Sequence, residues 1–332
     1  MSCEVRALLE RWALCGVLGL MPFLYGLVLR GESAAFEGPV SDLVVSGESV
    51  YYTSLGGLFE WHDGESKQLF NPSGIRLFGI AATGSSPERP LVLVGGVPGE
   101  SGQLGVFDGG GSETVFVRQS EDLIYDVAFD PVGERLAFAC ADGRVLLGRL
   151  DNGKVADVST RYKHTSVVRS VVFSPDGTHL ASAALDGLVL VADLGDENKP
   201  IVIQDHSDKV ECVVFSPDSQ RIVSGSRDSK LRVHSVRGRL IRTYSKWGPL
   251  ETSRPWSPSN QLLSLCFADD DDIILVGSSQ GYLFGLELDS GQSTILKRFS
   301  KPISALDRAR ALFVGTDRLY EIKASILSGL SR

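Results

Sequence analysis

The chain has 332 residues, 43% hydrophobic and 22% charged, which suits a globular protein with a sizeable core and excludes a disordered tail or a coiled coil. Lys and Arg number 33 against 41 Asp and Glu, so a net charge of −8 offers no global basic surface to a nucleic-acid backbone, and no nucleic-acid partner is expected. The five cysteines, Cys3, Cys15, Cys140, Cys212 and Cys266, are far apart with no CxxC or CxxCH pair; zinc-ribbon, dithiol-redox and c-type haem readings lack their ligands, and unpaired thiols remain.

Trp12 to Leu29 forms a run of 18 residues without a charge. That length sits at the lower limit for a membrane span and is long for a signal-peptide core. Ser33-Ala34-Ala35 puts small residues where a signal peptidase reads, yet Glu4 and Glu10 cancel Arg6 and Arg11, so the start lacks the positive charge of a secretory signal. Cys15 lies inside the run behind Leu14 and is not a lipidation site. Residues 1–35 therefore read as an apolar N-terminal segment, a cleaved signal or a membrane anchor through residues 12–29. Both readings favour a membrane-associated or extracytoplasmic protein. A cleaved signal would leave three cysteines in an oxidising compartment, an odd count that speaks for the cytosol.

Beyond residue 30, the 36 glycines of the chain and the scarcity of apolar segments of helical length point to short strands between turns. Three segments align at their centres: Leu123 to Leu150, Val167 to Leu194 and Lys209 to Val236. Phe129, Phe173 and Phe215 end the first strand of each, 44 and 42 residues apart, and the turn residues Asp142, Asp186 and Asp228 repeat the same two intervals. The period is that of a propeller blade, a four-stranded antiparallel sheet that buries its faces against neighbouring sheets. Extended outward, it predicts an all-β, seven-bladed β-propeller over residues 36–332. The blades fall at about 39–70, 71–119, 120–163, 164–205, 206–246, 256–298 and 299–330, with six or eight blades left open. Pro87, Pro90 and Pro98 interrupt blade two, and residues 246–260 form an insertion before blade six.

Phe173-Ser174-Pro175-Asp176-Gly177 with Leu180-Ala181-Ser182, and Phe215-Ser216-Pro217-Asp218 with Ile222-Val223-Ser224-Gly225-Ser226, resemble the inner half of WD-repeat blades. Phe129-Asp130-Pro131 and Ala141-Asp142-Gly143 fill the same places, and Trp61-His62 and Phe107-Asp108 stand where the family has its Trp-Asp pair. The resemblance gives the N-terminus a third role. Such propellers commonly close the ring with an N-terminal strand in the last blade, and residues 24–30 would serve, with a short apolar helix over Leu8 to Leu20 before them.

His206, Ser224 and Asp228 carry the residue types of an acyl-transfer triad. His164, Ser182 and Asp186 repeat them one period earlier, whereas nucleophilic catalysis needs one strained, exposed serine beside an oxyanion hole. Repetition argues for structure, and the resemblance implies a buried hydrogen-bond network with the blade's Trp. Ala192 and His234 stand at that Trp position, so weaker networks are expected. The five histidines, at 62, 164, 179, 206 and 234, are too few and too scattered for a metal-assisted hydrolase. Asp269-Asp270-Asp271-Asp272 reads as a solvated turn rather than a cation site, and Gly109-Gly110-Gly111 as a flexible turn with no following helix or lysine. No catalytic residue, metal or cofactor is expected.

The expected function is a noncatalytic protein–protein interaction platform, since loops on a rigid scaffold set what a fold binds. Counting back from each marker Phe puts Tyr125, Arg169 and Glu211 on the innermost strands at the channel rim, with Lys209 two residues before Glu211. The resemblance adds Leu185 and Arg227, just before their turn Asp. Basic groups beside apolar ones suit an acidic or phosphorylated peptide or protein with a hydrophobic anchor. Two other classes stay open, an extracytoplasmic propeller enzyme or cofactor-binding protein and a membrane-tethered trafficking or exchange factor.

Overall fold

The computed structural model describes residues 39–46, 49–54, 56–62, 65–71, 74–82, 91–97, 100–107, 116–196, 198–245, 260–268, 272–308, 312–316 and 319–322. The readings of residues 1–35, of Pro87, Pro90 and Pro98, of Gly109-Gly110-Gly111, of Asp269 to Asp271 and of the insertion up to residue 259 lie outside them. Among the described residues all regular structure is strand, and no helix is long and apolar enough to cross a membrane.

Blade four shows how the sequence builds one unit. Its inner strand, Val168–Phe173, buries Val168, Val171 and Phe173. The chain then reverses through Ser174-Pro175-Asp176-Gly177, where Ser174 Oγ accepts the His179 N–H at 2.9 Å and donates to Asp176. Gly177 takes the left-handed φ of +70° that the turn needs. The second strand, His179–Ala184, the third, Val189–Asp193, and the outer, Ile201–Ile203, complete an antiparallel meander.

Blade five repeats it with Val210–Phe215, Arg221–Ser226, Leu231–Ser235 and Leu240–Tyr244, and Ser219 takes the place of Gly177 at φ +62°. Blade three uses Ile124–Phe129, Arg135–Cys140, Arg144–Asp151 and Lys154–Lys163. Its Asp130 stands in for the turn serine: Oδ1 accepts the N–H groups of Gly133, Glu134 and Arg135, and Oδ2 meets Arg135 Nε at 2.7 Å.

The core lies between blades rather than inside them. Ala137, Ala139 and Val145 of blade three pack with Val171, Phe173 and Leu180 of blade four. Ala181, Val189 and Val191 of blade four pack in turn with Val213, Phe215 and Ile222 of blade five. A single sheet has two apolar faces to cover, and its two neighbours cover them.

Among the described residues there are six four-stranded blades, at residues 40–70, 76–120, 124–163, 168–203, 210–244 and 262–298. This corrects the expected seven. The remaining strands, Ala305–Arg308, Leu312–Gly315 and Leu319–Ile322, form a three-stranded sheet between blade six and blade one, and the residues expected to supply its outer strand lie outside the description. The joint with blade one packs Ala305 and Leu319 against Val40, Leu43 and their neighbours and adds polar links: Val40 N–H donates to Thr316 O at 2.8 Å and Ser304 Oγ to Val40 O at 2.6 Å. The inner strands thus neighbour one another all round the channel.

Candidate functional site at the channel mouth

Each of the six blades carries a β-bulge on its inner strand, at Ser41, Phe78, Tyr125, Arg169, Glu211 and Leu263. A bulge re-aims its side chain away from the pleat. Along blades two to five these side chains meet across three consecutive seams. The rings of Phe78 and Tyr125 lie 5.1 Å apart, Arg169 sits 4.5 Å over the Tyr125 ring, and Arg169 Nε reaches Glu211 Oε2 at 3.2 Å. Arg227 Nε donates to the other oxygen of Glu211.

In blades three, four and five the turn residue is brought to the same rim by the backbone. Ala141 N–H donates to Leu123 O, Leu185 N–H to Val167 O and Arg227 N–H to Lys209 O, at 2.8 to 2.9 Å. Leu185 is half-buried, Lys209 is exposed, and Glu211 is buried beneath its two guanidinium partners. Tyr125, Arg169, Glu211 and Arg227 therefore form one chain of contacts, with Leu185 and Lys209 beside it. The two guanidinium groups of Arg169 and Arg227 share the Glu211 carboxylate, and the charge of Arg169 also acts on Asp126. Counting from marker Phe residues passes over Phe78, because blade two has no Phe-Ser-Pro-Asp turn; its signal is the aromatic residue just before Gly79, as Tyr125 stands just before Asp126.

Half-buried carboxylates tie the inner strands together, Asp42 and Asp126 one residue past their bulges and Asp307 at the third place of its strand. Asp126 accepts Val171 N–H of blade four at 2.9 Å and its own neighbour Val127 N–H at 2.8 Å. Asp42 ties blade one to blade two through Ile80 N–H at 3.0 Å, and Asp307 ties the three-stranded sheet to blade one through Val45 N–H at 2.9 Å. Burial pushes Asp126 up to about 6 despite its hydrogen bonds, and burial with the nearby charge of Asp126 holds Asp42 well above the usual carboxylate range. An aspartate at the third place of an apolar strand was the available sequence signal.

The two repeated trios are joined by hydrogen bonds. In blade four, His164 Nδ1 lies 3.0 Å from Asp186 Oδ2 and Nε2 lies 2.8 Å from Ser182 Oγ, and Asp186 also accepts the N–H groups of Thr165 and Leu188. In blade five, His206 Nε2 lies 2.9 Å from Ser224 Oγ and Nδ1 3.2 Å from Asp228 Oδ2. Buried Arg232 adds a donor there: its Nη1 reaches Asp228 Oδ2 at 2.8 Å and also lies against His206 Nδ1. Burial alone would raise Asp228, but the hydrogen bonds it accepts, from Arg232 and the Ser207 N–H among others, outweigh it and hold the carboxyl below the usual range. Burial pushes His206 down in spite of Asp228.

Blade three replaces the trio with Ser120, Asp142 and Arg144, whose Nε reaches Asp142 at 2.8 Å. At the Trp position, Ala192 offers no polar group, and His234 turns to Asp205 at 2.8 Å. Ser182 and Ser224 are fully buried, so a substrate carbonyl has no path to either hydroxyl. The buried thiols are equally quiet, with Cys140 pushed up to about 12 by burial. Among the described residues no three His, Cys, Asp or Glu side chains are grouped to hold a metal ion. Asp272, the described end of the acidic run, meets Arg221 at 3.1 Å.

Residues 198–235 match the family model described as WD domain, G-beta repeat. Residues 127–216 match the model described as anaphase-promoting complex subunit 4 WD40 domain. No curated protein matches the chain.

Proposed function

Taking the chain as the WD-repeat propeller that its blades and matches identify, we propose that it is a noncatalytic platform holding an acidic or phosphorylated segment of a protein partner at the channel mouth. WD40 propellers generally mediate protein–protein interaction. The observation that carries the finer reading is the arc of Tyr125, Arg169, Glu211 and Arg227, continued by Leu185 and Lys209. Glu211 holds both guanidinium groups in place, Asp126 lies within the field of Arg169, and exposed Lys209 adds a further positive charge beside them, so the arc presents oriented donors. Phe78, Tyr125 and Leu185 supply the apolar ground on which a partner's hydrophobic side chain anchors. The buried trios of blades four and five serve the scaffold: they satisfy polar groups under the turns that carry Leu185 and Arg227.

The test reverses the three charges together, Arg169→Glu, Lys209→Glu and Arg227→Glu, in a pull-down of partners from extract of the source cells. Loss of the wild-type partners from a variant that melts as a folded protein supports the assignment. Recovery of the same partners at the same yield removes this face as the site.

A further inference from the structure

The seams between blades three, four, five and six can be compared position by position at their outer ends. Between blades three and four, Arg135, at the start of a second strand, donates to Gly177 O at 2.8 Å. From the outer strand, Arg161 donates to Asp193 O at 3.0 Å and Asp196 O at 2.6 Å. Between blades five and six, Arg221 again starts a second strand and meets Asp272 at 3.1 Å. Arg242 of that outer strand donates to the carbonyls of Leu288 at 2.6 Å and Asp289 at 2.5 Å. Each of these seams is stitched by two guanidinium groups.

The seam between them is not. His179 starts the second strand of blade four, and Ile201 pairs with Val191 in the register in which Arg242 pairs with Val233. Neither brings a guanidinium, and Ile201 packs against Gly238. The seam keeps a bond from Asp176 N–H to Ser219 Oγ at 3.0 Å, and beside it a cavity of about 520 Å³ opens between the blades. Val236 and Arg237 line it at the places of Leu288 and Asp289; Val236 N–H donates to Gln220 O as Leu288 N–H donates to Asp272 O. Asp193 and Asp196 also line it; Asp193 keeps acceptor positions beyond the Gly195 N–H it caps, and Asp196 accepts both the N–H and the side-chain amide of Asn198. The two outer strands that flank the cavity expose apolar side chains: Ile201 39%, Val202 58%, Leu240 43% and Ile241 49%.

We propose that this cavity receives the guanidinium group of an arginine on an extended segment of a partner protein, whose neighbouring apolar residues cover Ile201, Val202, Leu240 and Ile241. The chain itself supplies the precedent on either side, where an arginine of the outer strand reaches carbonyls of the next blade's turn: Arg242 those of Leu288 and Asp289, and Arg161 those of Asp193 and Asp196, which flank the corresponding pair. Two carboxylates, Asp193 and Asp196, and two cations, Lys199 and Arg237, leave the lining without net charge, so recognition rests on the acceptors at the turn, and a run of several cations finds no net complement. The site lies on the outer strands, apart from the channel mouth, so it does not depend on the reading of that face.

The test uses purified full chain and an array of fluorescent peptides in which one arginine sits between apolar residues, alongside the same peptides with citrulline, which keeps the shape and removes the charge. Arginine peptides should bind, citrulline should weaken binding about tenfold or more, and Ile201→Arg should do the same by filling the cavity from within. Val202→Lys, at an exposed position that folding does not need, should also weaken binding. The triple reversal at Arg169, Lys209 and Arg227 should leave it unchanged. No binding by any arginine peptide, equal binding of citrulline peptides, or undiminished binding by both Ile201→Arg and Val202→Lys overturns the proposal.

Discussion

Blades four and five carry the same trio on the same strands, yet they are built on different chemistry. In blade four the position after Val189 is Leu190, and Asp186 is held by His164, by the Thr165 hydroxyl and by backbone N–H groups, with no cationic side chain of the arginine kind. In blade five the corresponding residue is Arg232, buried, with its guanidinium wedged between Asp228 and His206. The first network is a set of hydrogen bonds around one carboxylate. The second contains a desolvated ion pair. A buried pair gives modest net stability while intact but leaves an uncompensated charge when one partner is removed, so the two blades should respond differently to the same mutation.

Asp228→Ala is therefore the most damaging change expected. It strands the Arg232 guanidinium and His206 together and should cost about 3–5 kcal/mol, read from urea unfolding. Arg232→Leu, which copies Leu190, should recover part of that loss in the double variant. An Asp228→Ala variant as stable as wild type, or a double variant no better than the single one, would show that the ion pair is not what distinguishes blade five. Asp186→Ala in blade four comes next, at about 1–3 kcal/mol, because it leaves neutral groups unpaired and no charge.

How far the sequence announces this difference is instructive. Phe129, Phe173 and Phe215 end their strands where the spacing puts them, and the turn aspartates fall at the turns. Those features repeat because each blade must solve the same local problem of reversing a strand. Arg232 could not be read that way. It occupies an apolar place in an alternating strand, and only the folded turn brings Asp228 and His206 over it. The missing guanidinium at Ile201 is likewise a property of a seam between two units, visible only once Arg161 and Arg242 are seen crossing the seams on either side. The three-stranded sheet falls inside the stretch of about 299–330 that the period marks as a last blade, but its strands lack the Phe-Ser-Pro-Asp turn, so the spacing alone does not place them.

Acid should also separate the two blades. Burial pushes both His206 and His234 of blade five below the ordinary histidine value. A base whose folded pKa is depressed binds fewer protons folded than unfolded, so stability is lost as pH falls through about 6.5, where the unfolded chain takes up the proton. Between pH 7.5 and 5.5, amide exchange corrected for its intrinsic pH dependence should rise in Leu231–Ser235 more than in Val189–Asp193. Asp126 works in the opposite sense on the inner strands: its raised pKa favours the folded state below about 4 and loses that contribution as pH climbs through about 6. Equal exchange in the two third strands across this range would remove the histidines as the cause.

The smallest effect is a proton moved from one ring nitrogen to the other, and it tests the comparison at its root. Asp186 is an acceptor, held below the usual carboxylate range by His164 and backbone N–H groups against the opposing pull of burial. His164 must then carry its proton on Nδ1 and accept the Ser182 hydroxyl at Nε2. Arg232 can only donate, and it lies against Nδ1 of His206, so that nitrogen must accept and the proton sits on Nε2, directed at Ser224. Two histidines in equivalent places should thus be opposite tautomers, a distinction that nitrogen-15 chemical shifts of histidine-labelled protein resolve at neutral pH. Arg232→Leu removes the donor and should convert His206 to the form of His164, because Asp228 then becomes the group facing Nδ1. The same tautomer at both sites in the wild type, or an unchanged His206 in Arg232→Leu, would mean that the guanidinium does not set the hydrogen-bond direction in blade five.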